Sequence, residues 1–211
     1  MEPKQKPEQD TTVGKEHFVQ KTEYLDEKLL AYSQTDAYPF HMPGHKRQSM
    51  GNWTGEAIDI TEITGFDNLH HAEGILQEAQ CRAAETFGAD ETFFLINGST
   101  AGLLSAICGT VRRGGRLLMA RNCHKAVYHA VYLMELKTAY LYPEQTDFGI
   151  QGSISPEQVR DMLVQYPDTE AVLLTSPTYD GVVSDIAAIA ALAHEKGVPL
   201  IVDEAHGAHF G

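Results

Sequence analysis

Several features that would place this chain in other classes are missing. No uncharged apolar run approaches the ~18 residues that a membrane-spanning helix requires, and the first stretch, MEPKQKPEQDTTVGKEH, has no apolar core of the kind a secretory signal carries. Positive charge is scarce: 16 Lys and Arg stand against 29 Asp and Glu, a formal net charge of −13. That balance repels nucleic-acid phosphates and anionic membrane surfaces alike. Cysteine is sparse too. Cys81, Cys108 and Cys123 are odd in number and too far apart for a disulfide framework or a CxxC metal knuckle. The expectation is a soluble, cytoplasmic protein with reduced thiols, and with neither nucleic acid nor membrane among its partners.

What is present is enough apolar material, 43% of 211 residues, to bury a sizeable core. Residues 1–16 hold hardly any of it and read as a flexible tail, because such a segment cannot offset its ordering entropy. From His17 to Ser33 a loose helical stripe runs through Phe18, Tyr24, Leu25, Leu29, Leu30 and Tyr32 and breaks at Tyr38-Pro39. With the irregular arm that follows, residues 17–72 form a second segment. Residues 73–211 change character: helical patterns alternate with short apolar runs.

The first helix is predicted over Glu73–Phe87, with Gly88 as its stop. Strands are predicted at Thr92–Ile96, Leu117–Ala120, Ala139–Tyr142, Ala171–Thr175 and Val198–Val202. Helices intervene after Asn97-Gly98-Ser99-Thr100, over His124–Leu136, after the capping serine of Ser155-Pro156-Glu157-Gln158, and over Asp185–Lys196 with Ser184 as cap. Apolar strands without polar alternation, each separated by a helix, indicate an α/β fold: a mostly parallel sheet with helices on both faces. Ligands of such sheets bind at the carboxyl ends of the strands, so chemistry is sought in the residues just beyond them.

Gly98-Ser99-Thr100 joins a predicted strand to a helix and offers backbone N–H groups, two hydroxyls and a helix dipole to a phosphate. Ser99 could equally be a plain helix cap. Neither a Walker A lysine nor a GxGxxG is present, which argues against triphosphates and dinucleotides. Asp203 ends another predicted strand and could keep a heteroaromatic ring nitrogen protonated, or merely cap a turn. His124 could stack on such a ring, or cap its helix. Asp203, His206 and His209 also compose a metal-ligand set, although their spacing is poor for one site. The Walker-B-like letters Asp203-Glu204-Ala205-His206 carry little weight without a phosphate-loop lysine. A phosphate cradle, an imidazole and a carboxylate at strand ends of one sheet suit a single ligand best, pyridoxal 5′-phosphate.

Four ordered motifs, Asn97-Gly98-Ser99-Thr100-Ala101-Gly102, Arg121-Asn122-Cys123-His124-Lys125, Ser176-Pro177-Thr178-Tyr179-Asp180-Gly181 and Asp203-Glu204-Ala205-His206-Gly207-Ala208-His209, resemble the bacterial Orn/Lys/Arg decarboxylase family. The arm is similar too, through His41-Met42-Pro43-Gly44-His45-Lys46, Asp59-Ile60-Thr61-Glu62 and Asp67-Asn68-Leu69-His70. That family has the aspartate aminotransferase fold, fold type I of the pyridoxal-phosphate enzymes. The resemblance implies that Ser99, Thr100 and the N–H of Ala101 hold the cofactor phosphate. It also implies that His124 stacks on the pyridine ring, Asp203 pairs with its nitrogen and Ala205 packs under the opposite face. His206 is expected near the cofactor and Thr178 near the substrate; no metal is expected. The implied reaction is loss of the α-carboxylate of arginine, lysine or ornithine as CO₂, giving a polyamine, in an enzyme that is a homodimer or higher oligomer.

The lysine to which the family attaches its cofactor follows the aspartate in a Ser-x-His-Lys segment, and no lysine occurs here after Lys196. Lys125 belongs to the ring-stacking motif and is a poor substitute. The resemblance therefore implies the first part of a large domain, without the rest of that domain or the C-terminal domain, and a chain inactive by itself. Alternatives on the same residues are an aminotransferase or aldolase of the same fold, or a non-catalytic regulatory partner of a full-length decarboxylase.

Overall fold

The computed structural model describes residues 23–49, 51 and 55–209, so the expected tail over 1–16 and the start of the helix expected from His17 lie outside the described residues. The chain divides into two compact units, residues 1–92 and 93–211.

In the first unit, helix α1 spans Leu25–Ser33 and helix α2 spans Ile75–Phe87, with one 3-10 turn at Gly55–Ala57 between them. Among its described residues the buried apolar side chains are few and include Phe66, Ile75 and Ala84. Polar and aromatic contacts converge instead on Tyr32. Its ring meets Phe66 edge-on at 5.4 Å and lies 4.7 Å under the Arg47 guanidinium. Its hydroxyl is 3.0 Å from His41 Nε2, and its carbonyl accepts from Arg47 Nη1 at 2.9 Å. The start of α2 is held from a distance: the Asp67 carboxylate accepts from the backbone N–H groups of Asn68, Glu73, Gly74 and Leu76 at 2.8 to 3.1 Å. Burial pushes this carboxyl up, but those four donors outweigh it and hold it down at about 2. Gly88 closes α2 with φ 64°, the left-handed stop expected of it.

The second unit is a four-stranded parallel sheet in the order β2-β1-β3-β4, with β1 Arg116–Ala120, β2 Lys137–Leu141, β3 Thr169–Thr175 and β4 Leu200–Asp203. Alternation of side chains across each strand feeds two separate cores. Leu117, Met119, Ala171 and Leu173 pack with Leu103, Ile107 and Val111 beside α3 (Gly98–Thr110) and with Ala126, Val127 and Ala130 of α4 (Lys125–Leu133). Leu118, Ala120, Val172 and Leu174 face the other way, onto Val159 and Leu163 of α5 (Pro156–Gln165) and Ile189 and Ala193 of α6 (Ile186–Glu195). Leu117, Leu118, Leu173 and Leu174 are all 0% exposed, each contributing ~1.5–3 kcal/mol of burial.

Two expectations need correction. Thr92–Ile96 is not a strand: among the described residues no segment pairs with it, so its backbone has no ladder, and Phe93 and Ile96 are 68% and 65% exposed. The cap of α6 is Asp185, whose Oδ1 accepts from Ala188 N–H at 3.0 Å. Ser184 is drawn away from that role, because its hydroxyl oxygen accepts from Ile154 N–H at 3.0 Å while its own N–H donates to Ser176 Oγ. Ser155 caps α5 as expected, accepting from Gln158 N–H.

Candidate active site

Chain direction puts the sequence-derived residues at one edge. The short link 111–115 joins the end of α3 to the start of β1, so α3 runs against the strands and begins at their carboxyl edge. Helix α4 follows β1 after residues 121–124 and begins at that edge too. Asp203 is the last residue of β4. Parity then selects the face. Ile201 packs with the core under α3 and α4, so Asp203, two residues on, projects to the same side, and α3 itself lies against β3 and β4. The start of α3, His124 and Asp203 therefore share one corner of the second unit.

At the start of α3, Asn97 precedes the helix without capping it by its side chain, and Gly98 has φ 63°. Ser99 and Thr100 are inside the first turn and exposed, with Ala101 half-buried behind them. Ser99 is thus not the cap. The first-turn N–H groups, lacking a side-chain acceptor from Asn97, stand beside two hydroxyls at the positive end of a 13-residue helix. This donor set matches a phosphate.

His124 does cap its helix: Nδ1 accepts from Ala126 N–H at 3.2 Å. In the neutral ring that bond leaves the proton on Nε2. The side chain is nevertheless exposed, so the cap fixes the ring without hiding it. Asp203 is 7% exposed; its Oδ1 accepts from Ala205 N–H at 3.2 Å and its carbonyl accepts from Ser176 N–H at 3.1 Å. Between these two elements lies Cys123, whose thiol is pushed up to about 12 by burial, with the Asp203 charge adding to the rise and Arg121 opposing it. Cys123 is a protonated, inert thiol at neutral pH.

Beyond β3 and β4 the placements differ in kind. Thr178 is buried, and its hydroxyl accepts from Val182 N–H at 3.1 Å while its carbonyl accepts from Gly181 N–H, so it shapes the turn 178–182. Ala205 and His206 are exposed, and the His206 ring stands edge-on to Tyr179 at 5.5 Å and 88°. Among the described residues no three His, Cys, Asp or Glu side chains are gathered to hold a metal, and Asp203, His206 and His209 form no such group. Lys125 is the exposed first residue of α4.

Sequence reasoning missed two features here. Tyr128, one turn into α4, donates its hydroxyl to the Arg121 carbonyl at 2.8 Å and accepts from Arg121 Nη1 at 2.6 Å, tying down the connection that carries His124. Both bonds span seven positions across the start of the helix, so no helical spacing signals them. The other is Thr175, the polar residue that ends an apolar strand, whose Oγ1 is buried without a partner among the described residues. A helix start without a side-chain cap, a fixed imidazole and a buried carboxylate, with a buried hydroxyl on the neighbouring strand, fit the polar groups of a phosphorylated pyridine.

The family model described as Orn/Lys/Arg decarboxylase, major domain, matches residues 24–211. The chain belongs to that family. An arginine decarboxylase of Bacillus cereus is 36% identical over 191 residues, covering 86% of this chain and 42% of that protein. The constitutive lysine decarboxylase of E. coli superposes over 85% of this chain and 28% of that one, with a TM-score of 0.72 at 22% identity. An aspartate aminotransferase from Rhodobacter sphaeroides aligns over 65% of this chain and 36% of that one, with a TM-score of 0.51 at 21% identity. The Orn/Lys/Arg decarboxylase family member described here therefore has an aspartate aminotransferase-like fold. It spans between about a quarter and two fifths of the length of the curated relatives it matches.

Proposed function

We propose that the intact protein is a pyridoxal-phosphate-dependent decarboxylase of arginine, lysine or ornithine, and that residues 73–211 form the first part of its cofactor-binding domain. The observation that carries this reading is the shared corner at which the α3 N-terminus, His124 and Asp203 meet. When bound, the cofactor supplies an electron sink for the pair left by the breaking Cα–carboxylate bond; CO₂ leaves, and a proton returned to Cα gives the amine. The first turn of α3, with the Ser99 and Thr100 hydroxyls and the Ala101 N–H, binds the phosphate. His124 would stack on the pyridine ring and keep water from it, and Ala205 would pack against its other side. The buried Asp203 carboxylate holds a proton on the ring nitrogen, which a low-dielectric site makes worth far more than in water. His206 borders the cofactor and Thr178 the substrate.

The anchoring amine is supplied from outside these residues. Of the lysines in the second unit, Lys137 opens β2 and Lys196 closes α6, both at the amino edge of the sheet. Lys125 begins α4 at the carboxyl edge, within the ring-stacking motif. We propose on this ground that residues 1–211 are inactive by themselves. We further propose a cytoplasmic homodimer or larger oligomer that produces a polyamine.

The test is CO₂ release by the intact protein supplied with pyridoxal 5′-phosphate and each of the three amino acids. Release from one of them, lowered ~100-fold or more by Asp203→Asn, is expected. Transamination without CO₂, or equal release by Asp203→Asn, would contradict the assignment.

A further inference from the structure

Thr175 ends β3, and its register partner on the neighbouring strand is Asp203. Both side chains project to the face that carries α3 and α4: Leu173 and Ile201, two residues before each, pack in that core. Thr175 Oγ1 is buried and has no hydrogen-bond partner among the described residues. A buried hydroxyl left in this state is destabilising unless some state of the molecule satisfies it. In-register parallel neighbours on one face stand about 5 Å apart, within reach of a single side-chain hydrogen bond. Asp203 Oδ1 is turned onto the N–H of Ala205, its own loop.

We propose that Thr175 is a positioning residue for Asp203. When a heteroaromatic ring nitrogen draws the Asp203 carboxylate toward it, the Thr175 hydroxyl donates to that carboxylate from the adjacent strand and fixes its orientation. The hydroxyl thus gains its acceptor when the ring nitrogen is bound. Thr175 gives up some stability of the free protein for affinity in the loaded one. The inference rests on the cofactor reading given above and adds to it a residue outside the sequence motifs.

The probe is pyridoxine 5′-phosphate, which has the ring nitrogen and the phosphate but no aldehyde, so its binding does not depend on any lysine. Its dissociation constant is measured by fluorescence on the intact protein, for Thr175→Val, Thr175→Ser, Asp203→Asn and the Thr175→Val/Asp203→Asn pair. Thr175→Val is expected to weaken binding about 5- to 10-fold, and Thr175→Ser less than about twofold. In the Asp203→Asn background, Thr175→Val is expected to cost less than about twofold, because the carboxylate it serves is gone. Thermal melting of the ligand-free Thr175→Val protein is expected to be no lower than that of the native one, a result that a structural role for the hydroxyl would reverse. An equal loss in both backgrounds, or no loss in the native one, would overturn the inference while leaving the cofactor reading in place. Failure of the native protein to bind the probe would remove the cofactor reading itself, and this inference with it.

Discussion

The two compact units are stabilised by different means. The second is built by repetition: four parallel strands send alternate side chains into two sealed cores, and about a dozen large residues there are essentially inaccessible to solvent. The first, among its described residues, buries few apolar groups and relies on single polar centres, Tyr32 and Asp67, each binding several partners. Burial spread over many residues is additive and periodic, whereas a polar hub concentrates stability in one side chain whose partners are remote in sequence. The unit stabilised by burial is also the one that can hold a buried carboxylate and an unsatisfied hydroxyl at its edge, since its core offsets their cost.

The largest effect should come from the repetitive core. Leu173→Ala, at a position with 0% exposure, is expected to cost about 2–5 kcal/mol, read as a shift in the denaturant midpoint of the intact protein. A loss below ~1 kcal/mol would mean that the sheet is not the main source of stability. Next is the hub on α1. Tyr32→Leu removes the hydroxyl, the ring edge on Phe66 and the face under Arg47 together, and should cost about 1–3 kcal/mol; Tyr32→Phe should recover all but ~1 kcal/mol of it. Equal losses for the two variants would show that the hydroxyl alone matters.

Asp67 sharpens the contrast through pH. Its carboxyl is held at about 2, below its ordinary value of 3.8, so its contribution is complete above that ordinary value and fades as pH falls through about 2. Between those limits the unfolded chain binds more protons than the folded one, and stability rises with pH. Asp67→Asn, tolerated at the local φ of 67°, should flatten that part of the pH–stability curve. An unchanged slope would show that other carboxylates dominate. The smallest effect is at Tyr132, 83% exposed on the outer side of α4: Tyr132→Ser should stay within about 0.5 kcal/mol of the native protein.

Legibility in the sequence follows the same division. Strands β1 to β4 and helices α3 to α6 were readable within a few residues, because their apolar runs and caps are local signals; Ser155 and Gly88 act where the sequence places them. Thr92–Ile96 was misread, since β propensity describes a surface that wants a partner and cannot supply one. Ser184 was misread as a cap, since a hydroxyl with a buried N–H within reach across 30 positions serves that N–H instead. The tie between Asp67 and α2 crosses up to nine positions, and the Tyr32 to Arg47 contact crosses 15, so no periodicity reports them. At the site, His124 and Asp203 are legible as residue types at strand ends, and Ser99 and Thr100 as hydroxyls at the start of a helix. Their convergence on one face depends on strand order and parity, and Thr175 is distinguished only by a buried hydroxyl with no partner among the described residues.

The account's central claim is that the start of α3, His124 and Asp203 form one cofactor site. The most direct measurement is a crystal structure of the intact protein grown with pyridoxal 5′-phosphate. The account predicts the phosphate at the first turn of α3 against Ser99 and Thr100, the ring face on His124 and the ring nitrogen on the Asp203 carboxylate. A phosphate bound elsewhere, or a ring whose nitrogen faces any group other than Asp203, would contradict it.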